Sequence, residues 1–186
     1  MIAYLSGAME FAVDEGSGWR LDMTSWLSTN LGHDVIDPVE ESRLIMLQEN
    51  SADYRTWKES DTERYRKFVR LYVERDIKAV TKEVDYIICL WNADVFKGAG
   101  THGEVTLAFQ HNVPVYLVNQ IPLTDLSGWI MACYSEIFNN FEDFVSKKGS
   151  PILWQHQVTR TLTKKLLRLI QELVMTTARE ATTRKN

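Results

Sequence analysis

Two carboxylates in this sequence stand where charged side chains are hard to keep. Glu104 follows the glycine-rich run Gly98-Ala99-Gly100-Thr101-His102-Gly103 and opens a helix-like stretch just after the apolar run 86–91. At about 100° per residue it shares a helical face with Leu107, Ala108 and His111, so it points inward. A first-turn acid that only complements the helix dipole faces water instead. Asp76 lies in the apolar stripe formed by Tyr65, Val69, Tyr72 and Val80. A carboxylate in such a stripe is hydrogen-bonded, paired, or at the mouth of a pocket, because burying an uncompensated charge is costly. Pairing with Arg75, Arg20 or a loop amide is the structural alternative to an active-site role. Two string motifs suggest other chemistry. Gly98-x-Gly100-x-x-Gly103 matches a dinucleotide fingerprint, but it is not in the first strand–helix unit, and the next strand ends in Asn119-Gln120 where an acidic ribose ligand belongs. His102-x-Glu104 begins a zinc deaminase signature whose Pro-Cys-x-x-Cys half is missing. Neither NAD nor a metal is expected, and no cofactor is called for.

The elements that must position these groups are legible from hydrophobic periodicity. Short β-branched or aromatic runs at 2–5, 34–36, 86–91 and 113–118 read as strands. Helical stretches over 18–31, 61–82 and 103–112 separate them, with shorter pieces near 40–48, 126–132 and 141–147. That alternation predicts an α/β fold built on a parallel sheet. In such a sheet ligands bind at the carboxyl ends of the strands. Glu104 is on that side, whereas Asp76, near the end of its helix, belongs at the opposite edge unless the helix overhangs the strand that follows. The polar segment 48–61 reads as a loop or lid. Near the carboxyl end, Leu162, Leu166, Leu169 and Leu173, with Leu167, Ile170 and Val174 beside them, form a wide apolar face on a helix. Such a face must be covered, by the chain's own sheet or by another subunit.

At 186 residues, with 45% apolar and 25% charged side chains, the chain suits a single domain over 1–186. A formal charge of −4 without a basic block argues against a nucleic-acid polymer as partner. No apolar run approaches the roughly 20 residues needed to span a bilayer, and the first strand has no basic region before it, so a cytoplasmic protein is expected. Cys89 and Cys133 are too few for a disulfide framework and read as core thiols.

Three segments in order resemble the nucleoside 2-deoxyribosyltransferase superfamily, which also contains nucleoside 5'-monophosphate N-glycosidases. They are Tyr4-Leu5-Ser6-Gly7-Ala8-Met9, then Arg75-Asp76-Ile77 with Asp85 nine residues on, then Gly100-Thr101-His102-Gly103-Glu104 leading to Ala108 and Pro114-Val115. The resemblance implies a flavodoxin-like doubly wound parallel sheet flanked by helices, with the C-terminal amphipathic helix added. It implies Glu104 as nucleophile at C1' of a 2'-deoxyribosyl group, Asp76 as the base-contacting acid and Tyr4 as the residue positioning the nucleophile. A small-molecule nucleoside or nucleotide and a free nucleobase are the implied partners, in a homo-oligomer. Base exchange is the leading outcome, hydrolysis the alternative, and a non-catalytic nucleotide-binding module the rival class. The chain departs from the pattern at Gly98, where the family's transferases carry a sugar-orienting Asp; Asp94 in the same loop is the substitute. Ser6, Gly7, Gly98, Gly100 and Thr101 are candidates for a phosphate cradle. Met9 and Trp19 complete the expected substrate contacts, and 125–129 corresponds to the segment the family lends to a neighbouring subunit.

Overall fold

The computed structural model describes residues 1–150 together with Trp154, Leu166 and Ile170. Met1–Gly149 forms one compact unit and Ser150–Asn186 a second; the first contains the whole sheet. Five strands, β1 (Ile2–Gly7), β2 (Asp34–Ile36), β3 (Tyr86–Trp91), β4 (Val115–Asn119) and β5 (Glu136–Phe138), pair in the order β2-β1-β3-β4-β5. Every pairing is parallel. This is the flavodoxin-like doubly wound arrangement. The three-residue β5 escapes a sequence reading because it opens on Glu136 and is too short for alternation to show.

Seven α-helices flank the sheet among the described residues: α1 (Ser17–Leu31), α2 (Pro38–Gln48), α3 (Trp57–Ser60), α4 (Thr62–Lys78), α5 (Gly100–Gln110), α6 (Gly128–Cys133) and α7 (Phe141–Lys148). Their starts follow from local chemistry. Asp37, Asp61, Ser127 and Asn140 each cap a helix by accepting a hydrogen bond from a first-turn amide, and Pro38 at the start of α2 has no amide to leave unpaired. Gly32 ends α1 in the left-handed conformation, φ 62°, that an ordinary side chain resists.

Alternation along the strands divides the core into two. Tyr4, Ile87, Cys89, Trp91, Val115 and Leu117 pack with Val105, Ala108 and Ile130 of α5 and α6. On the other face Tyr86, Tyr116, Phe138 and Phe144 form a chain of edge-on ring contacts, which Trp26 of α1 joins. The segment expected to be a loop or lid over 48–61 is partly folded: a 3-10 turn (Tyr54–Thr56) runs into α3, and Tyr54 and Trp57 are buried against Phe68 of α4. Its polar residues hid two aromatic anchors that one helix face is wide enough to take. The expected stripe over 162–174 lies outside the described residues, apart from the exposed helical positions Leu166 and Ile170. No described helix is long and apolar enough to cross a membrane.

Candidate active site

From β1 the chain goes outward to β2, and from β3 it goes outward the other way to β4. The crossovers therefore diverge between β1 and β3, and a crevice forms at the carboxyl ends of these two strands. β1 contributes Tyr4 and Ser6, whose side chains point to the same face. The turn after β3 delivers Glu104 in the first turns of α5. Asp76 comes from α4, and its distance from the end of the helical segment explains how it gets there. Past Lys78 the backbone continues through a π-helical turn (Ala79–Glu83) before β3 begins. Asp76 thus sits about two turns, roughly 10 Å, up the sheet from the strand's start. The overhang that the sequence left open is what brings it across β1.

The four side chains form one connected cluster. Tyr4 Oη lies 2.9 Å from Asp76 Oδ1 and 3.0 Å from Glu104 Oε1, and Ser6 Oγ donates to Glu104 Oε2 at 2.5 Å. Tyr4 and Ser6 are fully buried, whereas Asp76 and Glu104 as whole residues are partly so. Arg75 turns away from Asp76 to Glu41 and Glu83, and Arg20 is engaged with backbone carbonyls. The structural pairing considered for Asp76 is not formed with either arginine.

A phenol carries one hydrogen, so it donates fully to one carboxyl only. Both contacts are satisfied when one proton resides on Asp76 or Glu104. Burial raises both carboxyls above their ordinary range. Asp76 is pushed up to about 7, first by desolvation and then by the charge of Glu104. Glu104 is also raised by burial, but hydrogen bonds from Ser6 and Tyr4 and the charge of Arg20 pull it back. Glu104 ionises first, and Asp76 holds its proton up to neutrality. Tyr4, raised by burial and by both acids, stays a neutral phenol. The resting order is a protonated Asp76 donating to Tyr4, which donates to an ionised Glu104, which also accepts from Ser6.

No family model matches the chain, and no curated protein does. Among solved structures the chain is similar to a 2-deoxyribosyltransferase from the psychrotolerant bacterium Bacillus psychrosaccharolyticus, with 16% identity and a TM-score of 0.47 over 77% of this chain and 90% of that one.

The other expected site residues lie as follows. Gly7 ends β1, and a Cβ there would stand 3.1 Å from the Trp19 ring and 3.3 Å from the Leu90 carbonyl. Met9 is partly buried in the loop after β1. Trp19 stacks on Phe141, centroids 5.4 Å apart, with the Arg20 guanidinium 4.7 Å from its ring centre. Packing accounts for the position of this ring. Asp94 lies in a 3-10 turn (Ala93–Lys97) and forms an ion pair with Lys97 at 2.6 Å. Gly98 and Gly100 are exposed with open space where a Cβ would be, and Thr101 is buried in the first turn of α5. In the segment 125–129, Trp129 is exposed and its indole donates to Thr106, two residues beyond Glu104. His102, next to Glu104, packs its ring edge-on to Trp91 and is held neutral by burial. Sequence reading missed the role of Arg20, a charge at an apolar helix position with Met23 and Leu27 on the same buried face.

Proposed function

We propose that the chain is a nucleoside 2'-deoxyribosyltransferase: it cleaves the N-glycosidic bond of a 2'-deoxynucleoside through a covalent glycosyl–Glu104 intermediate and passes the sugar to another nucleobase. The observation that carries this reading is the single hydroxyl bridge between Asp76 and Glu104, which pairs one ionised and one protonated carboxyl at a strand-edge crevice. Such a pair supplies a nucleophile and an acid to one bond at the same pH. The three sequence segments that resemble the deoxyribosyltransferase superfamily contain these same residues.

In the first step a Glu104 oxygen attacks C1'. The C1'–N bond breaks, its electron pair stays on the departing base, and Asp76 delivers its proton to that base. Glu104 loses its charge as the ester forms, and Asp76 gains one as its proton leaves. Tyr4 is placed between them, so its hydroxyl hydrogen can swing from Glu104 to Asp76 and follow the charge without moving the ring. Ser6 keeps the other Glu104 oxygen in place throughout. In the second step a nitrogen of a second base attacks C1', Glu104 leaves as a carboxylate, and Asp76 recovers a proton from the incoming base. One difficult displacement becomes two easier ones. Water as the second nucleophile gives hydrolysis with the same two carboxyls.

The test is a mass measurement on the intact chain after brief incubation with a 2'-deoxynucleoside and no acceptor. A deoxyribosyl adduct that maps to Glu104 and disappears on adding a second base supports the proposal. Turnover without any dependence on Glu104 would remove it.

A further inference from the structure

Strand β1 is left without a partner on one side at the point where the site begins. β2 pairs only with Ile2–Tyr4, whereas on the other side β3 pairs with β1 as far as Gly7. The carbonyls facing β3 are those of even-numbered residues, as the Asp85 amide bonding to Ile2 O shows; the odd-numbered ones face β2, as the Asp34 amide bonding to Met1 O shows. Leu5 and Gly7 thus present carbonyls to an edge where β2 has already ended. These two bracket Ser6.

Arg20 of α1 fills that gap. Its side chain is fully buried, its Nε donates to Leu5 O at 3.1 Å and its Nη2 to Gly7 O at 2.9 Å, the two positions a further strand would have bonded. Its Nη1 donates to Glu15 O at 3.1 Å and Gly16 O at 3.0 Å. These carbonyls belong to a turn in which Asp14, Glu15 and Gly16 all have positive φ, of 50°, 58° and 70°. Left-handed conformations at two non-glycine residues are unfavourable and persist only when the surroundings impose them. One guanidinium therefore holds both the end of β1 and the turn that follows it. Gly16 is required beside it: a Cβ there would lie 2.5 Å from Arg20 Nη1 and 2.9 Å from Ala8 O.

We propose that Arg20 is the positioning residue of this site: its guanidinium replaces the missing length of β2, fixes the backbone on both sides of Ser6, and through Ser6 Oγ aims the Glu104 carboxylate. The proposal rests on the glycosyl-transfer reading for what that carboxylate does. Charge adds to geometry. Groups facing Arg20 are Asp37 at the start of α2, with an oxygen 3.6 Å away, and Glu104, Tyr4 and Cys89 from α5, β1 and β3. Groups facing Glu104 are Tyr4 and Ser6 from β1, Asp76 from α4, Cys89 from β3, and Arg20. Arg20 is the cation among these, and Asp37 is already occupied in capping α2 through the Val39 amide.

The variants Arg20→Lys, Arg20→Gln and Ser6→Ala, with the double variant Arg20→Lys/Ser6→Ala, test this. Two measurements are made: kcat and KM with a 2'-deoxynucleoside, and the titration of the Glu104 side-chain carboxyl by carbon NMR, assigned with Glu104→Gln. Lysine keeps the charge but cannot bond both carbonyls, so kcat falls about 100-fold, as a misplacement of about 1 Å does, with KM changed far less. The double variant should lose no more than the worse single one, because both changes break the same connection. In Arg20→Gln the carboxyl should titrate higher than in wild type, and in Arg20→Lys close to wild type. Additive losses in the double variant, or wild-type kcat in Arg20→Lys, overturn the proposal, as does an unmoved titration in Arg20→Gln. If Arg20→Gln does not fold, Arg20→Lys and the cycle with Ser6→Ala decide. A wild-type chain that consumes no nucleoside defeats the function reading alone; the Glu104 titration, which needs no substrate, then judges Arg20.

Discussion

Asp76 and Glu104 share one hydrogen-bonding partner, the Tyr4 hydroxyl, at 2.9 Å from one and 3.0 Å from the other. Because that hydroxyl has a single hydrogen, the two acids cannot both ionise without weakening a contact. This coupling gives the proposed reaction its pH dependence. Glu104 must be ionised to attack, and its titration lies above the ordinary glutamate range through burial. Asp76 must be protonated, and it titrates at about 7. The rate should therefore rise as Glu104 loses its proton and fall as pH passes about 7. A pH series of kcat/KM on a 2'-deoxynucleoside checks this, and Asp76→Asn should lack the alkaline fall.

Asp76→Asn should also slow cleavage by about 10²–10³-fold, the range of a lost general acid. The penalty should shrink for donors whose bases leave easily without protonation. Equal slowing across bases of different leaving ability would assign Asp76 a structural role instead.

The same shifts set the stability of the fold. A carboxyl with a folded-state value above its unfolded one takes up protons on folding, so its contribution is fully present below the unfolded value and is lost as pH rises through the folded value. For Asp76 the loss runs from about 4 to about 7. Asp76→Asn removes the titration, and so does Glu104→Gln for its own group. Both variants should melt closer to the wild type at pH 4 than at pH 8, where each should be the more stable protein while turning over at least about 10⁴-fold more slowly in the case of Glu104→Gln. Thermal unfolding at the two pH values is the measurement, and a wild type that outlasts both at pH 8 would contradict the assigned state of the pair.

Tyr4→Phe separates the bridge from the acids. The ring still fills its place in the core, but Glu104 loses a hydrogen bond that lowers its titration. The acidic limb of the rate profile should move up and kcat should fall. Stability should drop by about 1–3 kcal/mol, the cost of leaving buried polar groups without a partner. An unshifted acidic limb would mean that the hydroxyl does not govern the ionisation of Glu104.

How far the sequence foretells this arrangement depends on what each residue reports locally. Four of the five strands and the inward faces of Glu104 and Asp76 follow from periodicity, since side-chain direction in a regular element is set by position alone. The meeting of Asp76 with Tyr4 is not readable that way. It depends on how far the helical segment, which ends in the π turn Ala79–Glu83, runs along the sheet beside β1, and periodicity within a helix does not report that. Arg20 is hidden for a different reason: its partners are carbonyls, which every residue has, so neither spacing nor residue type betrays them. Tyr54 and Trp57 were obscured by the polar residues around them, although two aromatics three apart opposite an aromatic helix face are a signal that could have been used.

The last question is which second nucleophile the site accepts. Among Phe11, Trp19, Trp57 and Trp91, aromatic side chains in the segments around the crevice, Trp57 is buried with Phe68 and Trp91 lies in the core against His102. Trp19 is stacked on Phe141, which leaves Phe11, 44% exposed in the loop after β1, as the ring free to cover a base. A base held over the glycosyl intermediate competes with water through its high local concentration. On the transferase reading, titrating adenine or cytosine into a deoxynucleoside reaction should speed donor loss and yield a new nucleoside, and Phe11→Ala should shift product toward free sugar. If the amides around Gly98 and Gly100 instead hold a phosphate, deoxynucleoside 5'-monophosphates should be consumed faster than nucleosides, with little effect of added base. Free sugar or sugar phosphate as the sole product, at every base concentration, would replace the transferase with a hydrolase that uses the same Glu104 and Asp76.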